Sequence, residues 1–413
     1  MSKRRRFVAL VAAVGLVAAA VAGTSSGTPT HASAASGTVV LSGWGANPDE
    51  LKLLKQVLRG FEKTYPQIKV DYQPITGDYV ATMLAKFAAR KPPDVFYVDS
   101  NVFLDWVTQG VLEPLDSYAK QSKFSSAPFF PSLLSAFTYK GKIYGYPKDW
   151  SPLAMEVNTD LAAKAGVNPA KIKTWKDLTA AARKLKAVMP SDSRPICLNP
   201  SWDRALAFVY QNGGSFLNAD KTKSTINSPA AKAAMDYYVG LIRQGLADIP
   251  AKLSVGWCGE ALGKQKAAIV FEGNWMFPFM ASTFPDTHFV TERMLMNKQH
   301  GNLAFTVSYS MAKDSQNKPA AWQLLRYLVS KPGMKTWTSK GLALPSRKDV
   351  PPVSGRGPFL LDAPFAHAWQ FAPRFSQVID QANNELSAVI EGKQSVADML
   401  KKIEGLANST LGR

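Results

Sequence analysis

Short apolar segments alternate with amphipathic helical segments along most of this chain, and this alternation limits the possible folds more than any other feature. A strand is predicted at 38–41, and Leu51, Leu54 and Leu58 follow it at the spacing of one helix face. Such alternation is typical of α/β layers around a mostly parallel sheet. Because the chain has 413 residues, and single cores stop growing at roughly 250–300, we expect two domains.

The same pattern continues toward the C-terminus. Lys140-Gly141 between two aromatic-rich segments predicts a hairpin turn, and Thr174-Trp175-Lys176-Asp177 is a capping box. Apolar strands are predicted at 195–198 and 267–271, and the last third is expected to be helical. No repeat or low-complexity linker separates two halves, which predicts that the chain crosses between its domains more than once.

The first 34 residues have the pattern of an export signal. Lys3 and Arg4-Arg5-Arg6 precede an apolar stretch over 7–23, and Ala32-Ser33-Ala34 is a small-x-small cleavage site. An uncleaved membrane anchor is the alternative, and the paired arginines also fit a twin-arginine signal. No cysteine follows the apolar stretch, which excludes a lipid-modified signal. We expect export to the periplasm or to the outer cell surface.

The charge does not indicate a nucleic-acid partner. Removing residues 1–34 leaves 45 Lys and Arg against 31 Asp and Glu, a formal charge of +14. The basic residues are spread along the chain instead of forming the dense runs of a nucleic-acid-binding arm. We attribute the excess to solubility and predict no nucleic-acid binding.

Two cysteines, Cys197 and Cys258, remain after the export signal. In an oxidising compartment an even pair is usually bridged, so we predict a disulfide. The cysteine spacing is not that of a zinc site, and the histidines are scattered. The sequence therefore predicts no metal site and no cofactor.

Enzyme motifs are missing from the sequence. It contains no glycine-rich phosphate loop, no G-x-S-x-G turn and no H-E-x-x-H pair. A pair of carboxylates for glycoside hydrolysis can meet only in space, so the sequence leaves that alternative open. Aromatic and polar residues do recur beside strand ends, and these are Trp44, Asp99, Asn101, Trp150, Ser151, Trp202, Asp203 and Trp275.

Ligands of open α/β sheets bind beyond the carboxyl ends of the strands, so these residues are expected to meet at one cleft. The face of an indole suits the C–H groups of a sugar ring, while Asp, Asn and Arg side chains bond its hydroxyl groups. Each tryptophan alone is more often a core residue than a ligand contact. Trp175 and Trp337 lie within helical patterns, and we assign both to packing.

Several stretches that fall in a fixed order make the chain similar to the extracellular sugar-binding proteins of bacterial ABC transporters, the family of maltose-binding protein. They span most of the chain after the export signal: Pro93–Asp99, Gln109–Leu112, Gly141–Pro147, Asn158–Leu161, Asn212–Gly214, Lys266–Ile269, Gly273–Trp275 and Gly392–Leu400. The resemblance implies a type II periplasmic-binding-protein fold, with two α/β lobes joined by a hinge of several crossings. It places one lobe at 37–148 with 304–350, and the other at 149–303 with 351–413.

The resemblance also implies ligand contacts at specific positions. Asp99 and Asn101 match polar sugar contacts, and Trp275 matches a stacking tryptophan. By position in the family pattern, further contacts are implied at Trp150, Ser151, Trp202, Asp203, Trp369 and Arg374. Ligand contacts are also predicted at Trp44, which follows the first strand, at Tyr309, and at Trp257, which has no clear counterpart in the family.

The function implied is that of a monomeric, non-enzymatic receptor that closes on a sugar and delivers it to the transmembrane subunits of an ABC importer. Two alternatives remain open at this point. The first is a receptor for an anionic solute such as a sugar acid or a phosphate ester. The second is a secreted enzyme that acts on glycosides.

Overall fold

A computed structural model describes residues 35–44 and 48–412, and the predicted export signal at 1–34 lies outside them. The strands are β1 (Gly37–Trp44), β2 (Ile68–Ile75), β3 (Val95–Asp99), β4 (Thr138–Tyr139), β5 (Lys142–Ile143), β6 (Gly145–Pro152), β7 (Ala154–Asn158), β8 (Arg194–Cys197), β9 (Ala247–Asp248), β10 (Ala267–Glu272), β11 (Phe289–Glu292), β12 (Asn302–Met311) and β13 (Ala366–Ala368).

The helices are α1 (Pro48–Thr64), α2 (Tyr79–Ala88), α3 (Ser100–Thr108), α4 (Asp116–Gln121), α5 (Pro131–Ser135), α6 (Thr159–Lys164), α7 (Trp175–Lys186), α8 (Trp202–Gln211), α9 (Pro229–Arg243), α10 (Cys258–Gly263), α11 (Met276–Thr283), α12 (Lys318–Leu328), α13 (Lys331–Trp337), α14 (Gly357–Asp362), α15 (Ser376–Ile390) and α16 (Val396–Leu411). Short 3₁₀ helices lie at Pro169–Lys171, Pro250–Leu253 and Ala363–Phe365.

The strands form two main sheets. The first has the order β13-β12-β3-β1-β2, with β6 also paired to β12, and the second has the order β11-β7-β10-β8-β9. Both sheets are mixed. β1 is parallel to β2 and β3, and β8 is parallel to β9 and β10, whereas β12 and β7 run antiparallel to their neighbours β3 and β10. The expected mostly parallel sheet is therefore found only in part.

Strand β12 is an addition to the helices predicted for the last third of the chain, which are present at Lys318–Leu328, Lys331–Trp337, Ser376–Ile390 and Val396–Leu411. It pairs antiparallel with β3 on one side and with β6 on the other. Val307 lies opposite Asp99 in one ladder and opposite Asp149 in the other. Polar residues alternate with apolar ones along β12, and Thr306 donates a side-chain hydrogen bond to the Asp149 carbonyl. A strand of this kind is stabilised by partners that are distant in sequence, so local propensity predicts it poorly.

Two large hydrophobic clusters lie within the compact unit that begins at Ala35. One contains buried residues from 39–146 and 307–342, and the other contains buried residues from 153–303 and 369–407. Each cluster draws on two separate parts of the chain, so the chain passes between them several times. Strand β12 is one of these passages, since Leu303 belongs to one cluster and Val307 to the other.

Local signals in the sequence predict the helix starts well. Thr174 and Asp177 form the expected capping box at the start of α7, and Ser228 caps α9, which has proline at its first position. The predicted hairpin is present as the antiparallel pair β4–β5. Trp175 and Trp337 are both buried, as the prediction of packing roles required. No helix in the described part of the chain is long and apolar enough to cross a membrane.

The predicted disulfide is confirmed. Cys197 at the end of β8 is bonded to Cys258 at the start of α10, across a sequence separation of 61 residues. The bond lies in a small buried cluster that also contains Leu262 and Met276. It therefore ties a strand of the second sheet to the helix that covers it.

Removing this disulfide is expected to lower the free energy of unfolding by about 4 kcal/mol, because the unfolded chain regains the entropy of a long open loop. The measurement is guanidinium denaturation of the Cys197→Ala/Cys258→Ala double variant. The control is wild-type protein treated with a phosphine reductant, which breaks the S–S bond but keeps both sulfur atoms. An unchanged denaturation midpoint in both samples would contradict the prediction.

Candidate ligand-binding site

The carboxyl ends of the parallel strands place aromatic and polar residues at the edges of both sheets. β1 and β3 are parallel neighbours that end at Trp44 and Asp99. In the second sheet, β8 and β10 are parallel neighbours that end at Cys197 and Glu272. Loops that follow such ends form the usual ligand crevice of an open α/β sheet.

Glu272 is the centre of the polar network in the second sheet. Its side chain is fully buried and accepts three hydrogen bonds. The donors are Arg204 Nη2 at 2.6 Å, Asn199 Nδ2 at 2.9 Å and Trp275 Nε1 at 3.0 Å. Charge-assisted bonds such as the one from Arg204 are shorter and stronger than bonds between neutral groups. Glu272 thereby fixes the positions of three side chains that follow β8 and β10.

Arg204 is held by two carboxylates. Its guanidinium pairs with Glu272 and also with Asp203, at 3.0 Å between Nη1 and Oδ2. Burial opposes the charge, but the carboxylates of Glu272 and Asp203 outweigh this effect and raise the pKa of Arg204. The side chain of Asp203 is more than one-third exposed. Its second face is therefore accessible to a ligand.

Aromatic rings surround this guanidinium. Its central carbon lies 5.2 Å from the Trp275 ring centroid and 5.4 Å from that of Phe305. Trp275 packs edge-on against Phe305, with centroids 5.5 Å apart, and Trp369 follows at 6.4 Å from Phe305. Within β12, all of which the structure describes, Phe305 is the one residue that is not buried. Three separate parts of the chain thus build one aromatic surface beside Arg204.

The first sheet contributes a second group of residues. Trp44 packs edge-on against Tyr79 and Tyr97, at centroid distances of 5.3 and 5.1 Å. Asp99 caps α3 by accepting the Asn101 backbone N–H at 3.1 Å. Burial raises the pKa of Asp99 to about 6. A hollow of about 330 Å³ is lined by Trp44, Tyr79, Val80, Asp99, Asn101 and Val102.

The two groups of residues are joined through β12 and α3. Phe305 lies two residues from Val307, which pairs with Asp99 in the ladder. The Ser100 hydroxyl, next to Asp99, donates to the carbonyl of Trp369 at 3.1 Å. The aromatic surface beside Arg204 therefore continues to the residues at the end of β3. Both sheets supply polar and aromatic groups to one region of the molecule.

A buried ion pair lies on the far side of Tyr97. Lys148 pairs with Asp149, and its ammonium group lies 3.9 Å from the Trp337 ring centroid. The Trp337 indole N–H donates to Asp149 at 2.8 Å. The neighbouring hollow of about 200 Å³ is lined by Glu50, Leu51, Leu54, Tyr72, Pro74, Thr76, Tyr97 and Trp337.

Three predicted contact residues have almost no exposed surface, with 2% for Trp150, 0% for Trp202 and 3% for Tyr309. The Trp202 indole N–H donates to the Ala382 carbonyl at 2.9 Å, and that of Trp150 donates to the Pro345 carbonyl at 3.0 Å. Their rings pack in the interior of the fold. We leave all three out of the proposed site, and their ligand contacts stay predictions.

The remaining predicted contacts differ in position. Trp257 packs on Phe279, with centroids 4.7 Å apart, and none of its ring contacts involves the residues around Arg204. Ser151 is buried, and its oxygen accepts the Asn274 backbone N–H at 2.7 Å. Arg374 is exposed, and its backbone N–H donates to Asp105 on α3. No group of three or more residues suited to bind a metal ion occurs among the described residues.

Three residues of this site were not among the predicted contacts. Arg204 and Glu272 flank predicted residues in the sequence, but only the folded chain shows that they pair. Phe305 was missed together with β12, because no element was predicted for this segment. Alternation of polar and apolar residues over Asn302–Met311 is the signal that could have identified the strand.

Comparison with known proteins identifies one family of bacterial binding proteins. A family model described as bacterial extracellular solute-binding protein matches residues 45–335. A putative binding protein of Brucella abortus (strain 2308) is 24% identical over 371 residues, covering 86% of this chain and 89% of the relative. The arabinooligosaccharide-binding protein of Bacillus subtilis (strain 168) is 25% identical over 234 residues, covering 51% of this chain and 54% of the relative.

A solved structure shows the same fold. An ABC substrate-binding protein from Listeria monocytogenes, in complex with cycloalternan, superposes with a TM-score of 0.82 and 26% identity, covering 91% of this chain and 99% of that protein. The fold is the type II periplasmic-binding-protein fold that the sequence implied. By its family match and its fold, this chain belongs to the bacterial extracellular solute-binding proteins.

Proposed function

We propose that this protein captures a carbohydrate between its two sheets and delivers it to the transmembrane subunits of an ABC importer. One observation carries the proposal. Trp275 and Phe305 form a partly exposed aromatic surface that the buried ring of Trp369 extends inward, and the carboxylate of Asp203 lies at its edge. Relatives described as binding arabinooligosaccharide and cycloalternan support a sugar as the ligand class.

The chemistry of this surface matches that of a sugar. The C–H groups of a pyranose ring pack on an aromatic face, while its hydroxyl groups project sideways toward polar side chains. Asp203 and Asp99 can accept hydrogen bonds from those hydroxyls, and the exposed Asn101 amide can both donate and accept. Because Glu272 holds Arg204 and Arg204 pairs with Asp203, the Asp203 carboxylate is oriented before the ligand arrives.

Delivery requires a change that the transporter can detect, and we propose closure of two lobes about a hinge. The lobes are 37–148 with 304–350, and 149–303 with 351–413. The separate hydrophobic clusters support this division. We assign Trp150 to the hinge, and the pairing of its backbone with both Thr306 and Leu344 supports this assignment. A sugar that contacts both lobes shifts the population toward the closed form.

An anionic solute is the second candidate, suggested by the formal charge of +14 outside the export signal. The cations near the site do not favour it. Lys148 is paired with Asp149, and Arg204 is paired with Glu272 and Asp203. An anion would have to displace a buried carboxylate from either cation, at a cost of several kcal/mol.

A glycoside-active enzyme is the third candidate. Asp203 and Glu272 both bind the same guanidinium, and Glu272 also accepts the Trp275 indole N–H, so neither carboxyl is free to face a glycosidic oxygen. A general acid must donate a proton to that oxygen. The family consists of binding proteins, and we propose that this member also acts without catalysis. We further propose that it works as an exported monomer, in the periplasm or at the outer cell surface.

The first experiment is a thermal-shift screen with mono-, di- and oligosaccharides and with sugar phosphates, followed by product analysis. A sugar that binds only the folded protein raises its melting temperature. We expect at least one neutral sugar to do so while remaining chemically intact. A shift with sugar phosphates alone, or any product formed from a glycoside, would contradict the proposal in favour of the second or third candidate.

The Trp275→Ala variant is expected to bind the sugar found in this screen about thirtyfold more weakly, which corresponds to about 2 kcal/mol. The loss follows from removing an aromatic face and the indole N–H that orients Glu272. Calorimetric titration is the measurement. The matched control is Trp257→Ala, which removes a partly buried tryptophan outside the surface, and we expect its affinity to stay within about twofold of wild type. Equal affinities for the two variants would remove the support for this site.

Ionisation of Asp99 is expected to change stability and sugar affinity in opposite directions as pH rises. Its carboxyl ionises near 3.8 in the unfolded chain and at about 6 in the folded protein. The folded protein therefore loses stability as pH rises from about 4 to about 6. Sugar affinity should increase as the carboxylate forms, with the midpoint of the increase near pH 6.

The Asp99→Asn variant tests both effects, because an asparagine oxygen can still cap α3. Melting temperature and sugar affinity are measured from pH 4 to pH 8. The variant should lack the stability loss between pH 4 and pH 6, and its affinity should not rise with pH. A parallel response of the wild type and the variant to pH would show that burial does not raise the pKa of Asp99 and that Asp99 does not contact the sugar.

A further inference from the structure

Glu156 is a carboxylic acid in the middle of a buried strand. It lies at the centre of β7, opposite Val270 on β10 and opposite Thr291 on β11. All five residues of β7 are buried, and Glu156 has no exposed surface. The residue was not among the predicted contacts, and no step of the proposed binding uses it. A group of this kind needs a physical explanation, since a buried ionised carboxylate is costly unless it is paired.

The partners of Glu156 are too few for a charged group. Its Oε2 atom accepts the Glu272 backbone N–H at 3.1 Å, and its Oε1 atom has no hydrogen-bond partner among the described residues. Glu272, by contrast, accepts from Arg204, Asn199 and Trp275. The Arg204 guanidinium is bonded to Glu272 and Asp203, and no ion pair joins Glu156 to a cation in the part of the chain that the structure describes.

The charges that face Glu156 come from two elements. Glu272 lies on β10 and Arg204 lies on α8, while the facing residue on β11 is the neutral Thr291. Burial raises the pKa of Glu156 well above its ordinary value of 4.5, and the Glu272 charge adds to this effect. The Glu272 amide and the charge of Arg204 act in the opposite direction and are weaker.

We propose that Glu156 carries a proton at neutral pH and that its neutral carboxyl positions Glu272 to hold Arg204 and Trp275. The neutral group still accepts the Glu272 backbone N–H, which fixes the end of β10. An ionised group would repel the Glu272 carboxylate and compete with it for Arg204. Glu156 is thus a positioning residue beneath the aromatic surface. The consequence for sugar affinity rests on the proposed function, whereas the protonation state does not.

The direct test is the infrared spectrum of the unliganded protein at pH 7, compared between wild type and Glu156→Gln. We expect the wild type to show the carbonyl stretch of a protonated carboxylic acid and the variant to lack it. Carbon-13 NMR of protein labelled at glutamate carboxyl carbons gives the same information, should the variant fold poorly. A wild-type spectrum with only ionised glutamates at pH 7 would overturn the proposal, whether or not a sugar ligand has been found.

The stability of the same variant gives an independent readout with a defined sign. Unfolded Glu156 ionises near 4.5, whereas the folded protein keeps the proton, so the wild type loses stability as pH rises above 4.5. The melting temperature of Glu156→Gln should therefore rise relative to wild type between pH 4 and pH 8. The matched control is Glu260→Gln, because the hydrogen bond from Lys264 lowers the pKa of Glu260 and predicts the opposite trend. The same trend in both variants would contradict the assignment.

The positioning role is tested by sugar binding at pH 7. Glu156→Gln keeps an oxygen that can accept the Glu272 N–H, so we expect its affinity to stay within about twofold of wild type. Glu156→Ala removes this acceptor and leaves a cavity, and we expect about tenfold weaker binding. Equal affinities for the glutamine and alanine variants would refute the positioning role while leaving the protonation result intact. If no sugar binds the wild type, the proposed function fails. The infrared spectrum then still decides whether Glu156 is protonated at pH 7.

Discussion

The hydrogen-bond ladders of β12 are the constraint on which the rest of this structure depends. The strand pairs with β3 along one edge and with β6 along the other, and it passes from one hydrophobic cluster to the other. Successive side chains of a strand point to opposite faces, so its register determines which residues face the site. In this register Phe305 reaches Trp275 and Trp369, while Tyr309 packs on Tyr97 inside the first cluster.

Charge compensation explains why polar groups are stable at the edge of the second sheet. Glu272 is fully buried, and three donors replace the water that it loses. Arg204 in turn has two carboxylate partners, and the rings of Trp275 and Phe305 lie near its guanidinium. Removing one member of such a network leaves an uncompensated buried charge. The position of Arg204 therefore links the polar network to the aromatic surface, and loss of either would disturb the other.

Local signals predicted much of the fold. The capping box at Thr174 and the serine–proline start at Ser228 begin helices where the sequence indicated, and Cys197 is bonded to Cys258. Aromatic residues at strand ends were a weaker guide. Trp202 follows β8 as expected, yet its ring points into the interior and bonds the Ala382 carbonyl. A position at a strand end locates a backbone atom, but it does not give the direction of the side chain.

The sequence by itself determined the α/β class, the helix starts, the cysteine pair and the family, because these depend on local patterns and on the order of short motifs. Tertiary structure alone decided which side chains form the candidate site. Phe305, Arg204 and Glu272 come from three distant segments, and their meeting depends on strand register. The same is true of Glu156, whose missing partners are visible only when β7, β10 and β11 lie side by side. Burial and pairing are properties of the packed sheet, so no single segment encodes them.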